Sequence, residues 1–345
     1  MRHNARLRAC LASLFLTIAA ACAPGIAPRM EAHRPAEIRP ETIVMQDGAH
    51  LPYKRWSPDG PAKAAVIALH GFNDYSGAYK DLAPLLAARG LLVFAYDQRG
   101  FGGTVMRGDW AGTEAMIRDL DTVTELLRAA YPELPVYALG ESMGGAVIMA
   151  ALGGYSPPRL DGAVLSAPAV WGRNTMIPWQ RGALTAGAHL APRIRVRPQS
   201  LPKLPSDNIE MLRRLYYDPM MIKETRVETA WGLTGLMDRA LEAAPLLDMP
   251  LLVLYGREDG IIPRAPTCRM LRTLPTGADD VRRWRLALYE NGYHMLFRDL
   301  NGGAVSADIA AWLADPAAPL PSGAEVAAPA GARPLPDFCG RAAPE

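Results

Sequence analysis

The chain is poor in cysteine and carries almost no net charge. Its 345 residues include four cysteines, and 37 basic against 35 acidic side chains leave a formal net charge of +2. Because a chain so close to neutral offers no strongly basic surface, we expect no nucleic-acid partner. The sequence also lacks internal repeats, a glycine-rich phosphate loop and clustered metal ligands, so it gives no reason to expect a repeat array, a nucleotide site or a metal centre.

The apolar run at the N-terminus is too short to span a bilayer comfortably. It covers residues 11–21 and follows a basic start that contains Arg2, Arg6 and Arg8. A basic start followed by a short apolar run is typical of an export signal, although an uncleaved anchor has the same pattern. We therefore predict a signal over residues 1–22 and a folded domain outside the cytoplasm, unless the true start lies further along the chain.

Two kinds of processing fit the end of this signal. The small residues 19–21 suit cleavage by an ordinary signal peptidase. The same residues followed by Cys22 resemble a bacterial lipobox, in which the cysteine becomes lipidated, although Ala19 stands where that motif usually has leucine. We prefer lipidation because Cys22 falls where the apolar run stops. We expect an exported protein, periplasmic or anchored to a membrane as a lipoprotein, and otherwise secreted.

Alanine- and proline-rich segments flank a long region in which apolar strands and amphipathic helices alternate. We predict a flexible linker at 23–41, a single domain at 42–314 and a mostly irregular tail at 315–345. Hydrophobic residues make up 50% of the chain, which is enough for a sizeable core. Alternation of this kind favours an α/β fold with a mainly parallel sheet and helices on both faces.

Two segments depart from this alternation. The runs 43–45 and 51–56 flank an Asp-Gly pair, which predicts an antiparallel hairpin at the start of the sheet. The segment of about 171–245 contains methionine and tryptophan and predicts an inserted helical lid whose side chains adapt to acyl chains. We name Met176 and Trp179 as substrate contacts, but a helical subdomain that simply packs on the core explains most of the same apolar residues.

The motif Gly-Glu-Ser-Met-Gly at residues 140–144 carries the most information about function. It follows the apolar run 136–139 and precedes the apolar segment 146–152, which predicts a strand, a sharp turn and a helix. In this setting Gly-x-Ser-x-Gly is typical of the nucleophile elbow of a serine hydrolase, so Ser142 is the candidate nucleophile. Small residues are needed because side chains at this turn would collide with the neighbouring strand or helix.

A serine hydroxyl is a poor nucleophile until a base takes its proton. In this class of fold the chain order is serine, acid and then histidine. His294 lies just after the predicted strand 284–289, where the base is expected. His189 also follows the serine, but it lies in an apolar segment, so we interpret it as a packing or lid residue.

The acid that orients the base is expected after the preceding strand. The run 251–255 is a compact apolar strand, and Gly256-Arg257-Glu258-Asp259 follows it. We name Asp259 as the acid, with Glu258 as the local competitor and Asp248 as a more distant one. An aspartate is common after any strand, so the assignment depends on the three residues occurring in the right order.

The developing oxyanion needs two backbone N–H donors. One is expected from Met143, directly after the nucleophile. The other is expected from Phe72, in the loop that follows the strand 65–69. His70 lies in the same loop and precedes the serine in the chain, so we interpret it as a support of the loop rather than as the base.

Five motifs occur together in an order that resembles one family. They are His70-Gly71-Phe72, Asp97-Gln98-Arg99-Gly100-Phe101-Gly102, Gly140–Gly145, Gly256-Arg257-Glu258-Asp259 and Gly292-Tyr293-His294. Over roughly residues 41–314 the chain resembles the monoacylglycerol lipase and lysophospholipase branch, of the serine aminopeptidase S33 type, of the α/β-hydrolase superfamily. The resemblance implies the α/β-hydrolase fold, a lid after the strand that follows the elbow helix, and the five residues named above as triad and oxyanion donors. We interpret Asp97 and Arg99 as polar groups that stabilise a turn.

The predicted activity is hydrolysis of a small lipid-like ester, of the monoacylglycerol or lysophospholipid type, through an acyl-enzyme. This chemistry needs no metal or organic cofactor. A peptidase or amidase is one alternative, in which Glu224 or Glu228 would bind an amino terminus. An acyltransferase uses the same triad, and a non-catalytic binding protein is the alternative of another class. The sequence does not indicate the oligomeric state.

Cys268 and Cys339 are expected to form a disulfide. After removal of the signal, the remaining cysteines are these two and Cys22. An exported chain lives where disulfides persist, and a bridge would tie the irregular tail to the domain. The alternative is a buried thiol at Cys268 and a free thiol at Cys339.

Overall fold

The computed structural model describes residues 34–197, 204–275, 283–326 and 336–340, so the predicted signal, Cys22 and most of the predicted linker lie outside the described residues. The strands are β1 (Glu37–Ile38), β2 (Thr42–Val44), β3 (His50–Trp56), β4 (Ala64–Leu69), β5 (Leu91–Tyr96), β6 (Val136–Glu141), β7 (Gly162–Ser166), β8 (Arg195–Val196), β9 (Thr225–Arg226), β10 (Leu251–Gly256) and β11 (Trp284–Tyr289). The α-helices are α1 (Leu82–Ala87), α2 (Thr113–Ala130), α3 (Met143–Leu152), α4 (Pro178–Leu190), α5 (Ile209–Tyr217), α6 (Val227–Ala243), α7 (Arg264–Thr273), α8 (Gly302–Ala314) and α9 (Pro336–Cys339). In these ranges no helix is long and apolar enough to cross a membrane.

One sheet of nine strands organises the domain, in the order β1-β2-β3-β5-β4-β6-β7-β10-β11. Neighbouring strands from β5 to β11 run parallel, while β1, β2 and β3 add an antiparallel edge. Every residue of β4 and β5 is buried, which is why these strands are continuous apolar runs rather than alternating ones. The predicted parallel sheet and the predicted hairpin, formed by β2 and β3, are both confirmed.

Helices cover both faces of this sheet. On one face, α2 buries residues at the helical spacing seen in the sequence, namely Met116, Leu120, Val123 and Leu127, and α3 packs beside it. On the opposite face, α1 and α8 pack together over a second apolar cluster. The predicted α/β architecture with two helical layers is therefore confirmed.

The chain between β7 and β10 departs from the alternation, but only part of it stands apart from the core. Within this insertion, α4 buries only Ala188 and α5 buries only Met211, and β8 pairs with β9 in a separate small sheet. In contrast, α6 buries Leu236 and Ala240 in the main core and packs on α3. The predicted insertion at 171–245 thus included a core helix, because helical periodicity does not show which neighbour an apolar face contacts.

The folded domain extends beyond the predicted limits at both ends. β1 lies within the segment predicted as a linker, and it pairs with β2. At the other end, Glu325 forms a backbone bridge with Ala287 of β11, and its carboxylate accepts hydrogen bonds of 2.7 and 2.6 Å from Arg285. Where it is described, the largely irregular tail is therefore packed against the edge strand.

The predicted disulfide between Cys268 and Cys339 is confirmed. It joins α7 to α9, and the two Cα atoms are 5.5 Å apart, within the range that a bridge requires. The neighbouring Phe338 is buried, and its ring packs edge-on against Tyr255 at 5.3 Å between centroids. The bridge therefore holds an apolar residue of the tail in the core.

Candidate active site

Ser142 occupies a strained turn between β6 and α3. Its backbone has φ 53° and ψ −112°, a conformation that residues other than glycine rarely adopt. Flanking hydrogen bonds hold the turn, because the Ser142 N–H donates to Ser166 O at 2.9 Å and Ser142 O accepts from the Ala169 N–H at 2.9 Å. Both partners lie at or just beyond the end of β7, so the neighbouring strand fixes this conformation.

Two glycines make this turn sterically possible. A Cβ atom at Gly140 would lie 2.5 Å from the backbone carbon of Gly144. A Cβ atom at Gly144 would lie 2.0 Å from the carbonyl oxygen of Leu69 in β4. Both distances are far below van der Waals contact, so any larger residue would force the elbow away from the sheet. This lack of space explains why the motif has glycine at both positions.

The structure brings His294 and Asp259 together at the same edge of the sheet. Asp259 follows β10 and His294 follows β11, and His294 Nδ1 lies 2.9 Å from Asp259 Oδ2. The second oxygen, Asp259 Oδ1, accepts from the N–H groups of Ile261 at 2.8 Å and Ile262 at 3.0 Å. The carboxylate is thereby fixed, and Nδ1 of the imidazole carries the proton that it donates.

The two alternative acids lie elsewhere. Glu258 is exposed to solvent next to the turn. Asp248 precedes β10, at the opposite edge of the sheet, where it pairs with Arg283 at 3.5 Å. Only Asp259, whose side chain is fully buried, contacts the His294 ring among these three carboxylates.

Burial and charge act in opposite directions on His294. Burial by itself disfavours the imidazolium, but the Asp259 carboxylate beside the ring and the Glu141 carboxylate raise the pKa of His294 above its ordinary value of 6.5. A more basic imidazole accepts a proton more readily, which suits a residue that must take one from a serine hydroxyl. The raised pKa therefore favours proton uptake at Nε2, the ring nitrogen that does not face Asp259.

The loop after β4 passes beside Ser142. A Cβ atom placed on Gly71 would lie 3.5 Å from Ser142 Cβ, so the loop backbone is in close reach of the nucleophile. Phe72 follows, with its ring edge-on to Phe101 at 5.5 Å between centroids. Met143 is the first residue of α3, where a helix leaves backbone N–H groups without intrahelical partners. Of the two predicted oxyanion donors, Met143 directly follows the serine, and Phe72 directly follows the glycine that approaches it.

His70 supports this loop, as predicted. Its Nε2 accepts a hydrogen bond from the Gln98 N–H at 3.0 Å, and its Nδ1 donates to Gly71 O at 2.8 Å. The Gln98 side chain in turn donates to His70 O at 2.8 Å. Complete burial lowers the pKa of His70, so the ring is neutral. It links the loop after β4 to the loop after β5.

The polar residues of the second motif also stabilise turns, as predicted. Asp97 accepts from the N–H groups of Ser76 and Gly103, both at 2.8 Å. Arg99 forms ion pairs of 2.6 Å with Asp47, in the hairpin, and with Asp119, in α2. These contacts join the hairpin, the loop after β5 and α2 into one rigid unit.

One buried ion cluster beneath the site was not predicted from the sequence. Arg298 donates to Asp74 at 2.8 Å and also to Glu141, and the exposed fractions of the three side chains are 4%, 3% and 1%. Glu141 directly precedes Ser142, Asp74 lies in the loop of Phe72, and Arg298 follows His294 by four residues. This Arg298 cluster therefore connects the three loops that carry the candidate residues. No local sequence signal marks it, since its members are up to 224 residues apart.

The insertion contacts the loop of Phe72. Asn73 Nδ2 donates to Thr225 Oγ1 at 2.7 Å, and the Ile222 N–H donates to Asn73 O at 3.0 Å. Tyr75 donates to Asp218 at 2.8 Å. These hydrogen bonds fix the segment between α5 and α6 to the loop residues that follow the predicted oxyanion donor, Phe72.

The two residues predicted to contact substrate lie at the start of α4. Met176 is half-buried and ends a short 3₁₀ turn, whereas Trp179 is 69% exposed in the first turn of the helix. Neither forms a hydrogen bond or a ring contact with Ser142, Asp259 or His294. His189, further along α4, packs edge-on against Trp231 at 5.6 Å, in agreement with a packing role. Within the described ranges, no group of three or more His, Cys, Asp or Glu side chains is placed to hold a metal ion.

The chain is similar in sequence to a known family and to several of its members. A family model described as serine aminopeptidase, S33, matches residues 60–301. A monoacylglycerol lipase of Mycolicibacterium smegmatis is 30% identical over 274 residues, which cover 77% of this chain and 93% of that protein. A monoglyceride lipase of Rattus norvegicus is 28% identical over 264 residues, which cover 75% of this chain and 84% of the relative.

A solved structure shares the fold. The crystal structure of Paleococcus ferrophilus monoacylglycerol lipase superposes with a TM-score of 0.64 at 23% sequence identity. The match covers 76% of this chain and 98% of that one. The likeness in fold therefore extends over almost the whole length of that chain.

Proposed function

Because the chain belongs to the serine aminopeptidase S33 family, in the monoacylglycerol lipase-like branch of the α/β-hydrolase superfamily, we propose that it hydrolyses carboxylic esters of lipid-like alcohols. The observation that carries the proposal is the His294–Asp259 hydrogen bond of 2.9 Å at the same sheet edge as the strained Ser142 turn. The chain is a serine ester hydrolase, and its natural ester is of the monoacylglycerol or lysophospholipid type.

Ser142 is the nucleophile of the proposed reaction. His294 Nε2 takes the proton of the serine hydroxyl as Oγ attacks the acyl carbonyl. Asp259 keeps the proton of the imidazole on Nδ1 and stabilises the imidazolium that forms. This role is supported by the burial of the Asp259 side chain and by the two backbone N–H groups that hold its second oxygen.

The N–H groups of Phe72 and Met143 hold the oxyanion. When the tetrahedral intermediate collapses, His294 protonates the departing alcohol and an acyl-enzyme remains. His294 then activates a water molecule that releases the fatty acid. Each step uses side chains and backbone groups of the protein alone, so the mechanism needs no cofactor.

Hydrolysis of esters fits the site better than cleavage of peptides from a free amino terminus. An aminopeptidase needs a carboxylate to bind the substrate ammonium group. Of the two candidates in the insertion, Glu224 is already paired with Arg197 at 2.7 Å, and Glu228 is 91% buried at the start of α6. Cations surround Glu224, so the region repels an ammonium group.

The insertion is the lid of the proposed enzyme. The contacts of Asn73 and Tyr75 with the segment between α5 and α6 support this role, because they fix the insertion over the oxyanion loop. Met176 and Trp179 contact the acyl chain when it is bound. Exchange of Trp179 for serine should shift the preference among acyl lengths while short acetates are still hydrolysed; a uniform loss would contradict this role.

A fluorophosphonate probe tests the nucleophile directly. Wild-type protein should be labelled at Ser142, and Ser142→Ala protein should not, while Ser57→Ala, which changes an exposed serine after β3, serves as the matched control. Ser142→Ala and His294→Ala should each lower ester turnover by several orders of magnitude, and the double variant should be little worse. Near-normal turnover by Ser142→Ala would refute the mechanism.

A substrate panel then separates the alternative activities. Monoacylglycerols and lysophospholipids should be hydrolysed, and aminoacyl amides should not. Turnover of the amides alone would indicate a peptidase, and acyl transfer to glycerol in preference to water would indicate a transferase. Probe labelling with no turnover of any ester would favour a binding protein.

We also propose that Cys22 is lipidated and anchors the protein to a membrane. A multiply acylated cysteine binds membranes firmly, whereas one chain alone binds only marginally. Cys22→Ser should therefore release the protein from the membrane fraction. Mass spectrometry that finds an unmodified N-terminus at or beyond Cys22 would favour ordinary secretion.

A further inference from the structure

A short segment of the insertion contacts the loop that carries His294. The segment directly precedes α5 and includes Pro205 and Ser206. The Met295 N–H donates to Pro205 O at 3.0 Å. The Ser206 hydroxyl donates to Asp299 Oδ1 at 2.6 Å. The insertion therefore bonds both to the residue that follows the base and to a carboxylate five positions beyond the base.

Asp299 closes this loop around the base. Its Oδ2 accepts a hydrogen bond from the Tyr293 N–H at 2.7 Å, and its own N–H donates to Met295 O at 3.1 Å. Tyr293 and Met295 are the two neighbours of His294 in the chain. Asp299 therefore holds the backbone on both sides of the base. It is 7% exposed, so water has little access to replace these hydrogen bonds.

Ser206 connects Asp299 to the start of α5. The serine is fully buried, and its oxygen also accepts from the Asn208 N–H at 3.1 Å. The Asn208 side chain caps α5, because it accepts from the Met211 N–H at 3.1 Å. The same side chain donates to Arg298 O at 3.0 Å. The first turn of α5 is thus joined to the loop of the base by a continuous set of hydrogen bonds.

The Asp299 carboxylate depends on these donors. Burial raises the pKa of Asp299 to about 7, and the carboxylates of Asp207 and Glu141 act in the same direction. Hydrogen bonds from the Ser206 hydroxyl and from the Tyr293 N–H act in the opposite direction. Loss of the Ser206 hydroxyl would leave one oxygen of a buried carboxylate without this donor, which favours a different position of Asp299.

We infer that Ser206 and Asp299 are positioning residues, through which the insertion holds His294 in the orientation that catalysis requires. The inference rests on the proposed function, since His294 is the base of that reaction. Both residues act through the backbone beside the base. A displacement of about 1 Å in a catalytic group can cost about a hundredfold in rate, so hydrogen bonds that fix this backbone contribute to kcat. The insertion is thus part of the catalytic framework as well as the lid of the site.

Ser206→Ala removes the hydroxyl link with little change in volume. The assay uses p-nitrophenyl acetate, whose very short acyl group reports on the base rather than on contacts with a long acyl chain. We expect kcat to fall about tenfold while KM changes less than about twofold. A rise in KM with kcat unchanged would overturn the inference, because the segment before α5 would then act on substrate binding instead of on the base.

Ser306→Ala is the matched control. Ser306 is also buried, and its hydroxyl donates to Gly302 O at 2.8 Å within α8. This variant loses a buried hydrogen bond of the same kind and should keep the wild-type kcat. An equal fall of kcat in both variants would show a general effect of a weakened fold and would overturn the inference. Thermal unfolding of each variant verifies that it is folded at the assay temperature.

Two substitutions of Asp299 test the same link from its other end. Asp299→Leu has a side chain of similar size that forms neither hydrogen bond. The amide of Asp299→Asn can still accept from the Tyr293 N–H and can donate to the Ser206 oxygen. Asp299→Leu should therefore lower kcat more than Asp299→Asn does. Equal values of kcat would overturn the inference, and this comparison decides the question if Ser206→Ala does not fold.

A spectroscopic measurement makes the inference separable from the proposed function. His294 Nδ1 lies 2.9 Å from Asp259 Oδ2, and the proton between them gives an NMR signal that His294→Ala identifies by its loss. This signal should shift or broaden in Ser206→Ala and should stay unchanged in Ser306→Ala. If the wild type hydrolyses no ester but the signal changes in this way, the proposed function fails and the positioning role stands. If the wild type hydrolyses esters, and both kcat and the signal of Ser206→Ala equal those of the wild type, the positioning role fails and the proposed function stands.

Discussion

Replacing Arg298 with methionine tests the buried cluster that connects the three loops of the site. The substitution keeps an unbranched side chain of similar length but leaves Glu141 and Asp74, whose side chains are 1% and 3% exposed, without their cation. Removal of one partner of a buried ion pair typically costs about 3–5 kcal/mol, because the remaining charge stays buried and uncompensated. We expect the free energy of unfolding to fall by about this amount.

An exposed ion pair provides the matched comparison. Arg159 and Glu125 are 68% and 46% exposed and 2.6 Å apart, so solvent screens their interaction. Arg159→Met should therefore change the free energy of unfolding far less than Arg298→Met does. Both variants lose an arginine that is paired with a carboxylate. The difference between their effects on the free energy of unfolding therefore reports the contribution of burial.

The difference between the Arg298 variant and the wild type should depend on pH. Burial raises the pKa of Glu141, although Arg298 acts in the opposite direction, so removal of Arg298 raises that pKa further. A carboxyl whose pKa is raised by folding costs no stability below its unfolded pKa, where it is protonated in both states. The cost grows as the pH rises and is complete above the folded pKa. The deficit should thus be largest at neutral to alkaline pH.

Urea unfolding from pH 4 to pH 8, followed by circular dichroism, measures this deficit. The midpoint should shift while the denaturant slope stays constant, as expected for a change in stability alone. A fall in the free energy of unfolding of less than about 1 kcal/mol at pH 8 would refute the argument that Arg298→Met leaves buried carboxylates without a cation. A deficit that is independent of pH would refute the assignment of the cost to the carboxylates.

Three further predictions concern the site and the tail. Asp259→Asn should lower ester turnover about 10⁴-fold, because the imidazole loses its orientation and charge support, and Glu258→Gln should cost much less; the reverse order would move the acid to Glu258. Because the pKa of His294 is raised and its neutral form is the base, kcat/KM should increase with pH through a pKa above 6.5, and a midpoint at or below 6.5 would contradict this. Without reductant, Cys339→Ser should lower the free energy of unfolding by at most about 4 kcal/mol relative to the wild type. Under reducing conditions this difference between the two proteins should disappear.

Local sequence patterns were sufficient to predict the elbow and the strands that carry the site. The turn at Ser142 needs small neighbours within four residues, so the pattern of Gly140 and Gly144 is visible in the chain itself. The strands β4 and β5 are buried on both faces, and burial of that kind leaves continuous apolar runs in the sequence. Because neighbouring strands from β5 to β11 run parallel, the carboxyl ends of the strands that carry the site lie at one edge of the sheet.

Other features depended on which residues meet in space. The sequence predicted a helical insertion at about 171–245 but did not show that the apolar face of α6 packs on α3 rather than over the site. The sequence favoured Asp259 over its neighbour Glu258 as the acid, and the turn geometry is what directs the Asp259 carboxylate to His294.

The sequence by itself determined the class of fold and the type of nucleophile, because both arise from interactions between residues close together in the chain. The tertiary structure alone decided the Arg298 cluster, whose ion pairs join residues 157 and 224 positions apart. It also decided the group of cations around Glu224, which come from three separate segments. Charges interact through space and leave no period in the sequence, so their partners become known only when the sheet and the insertion bring them together.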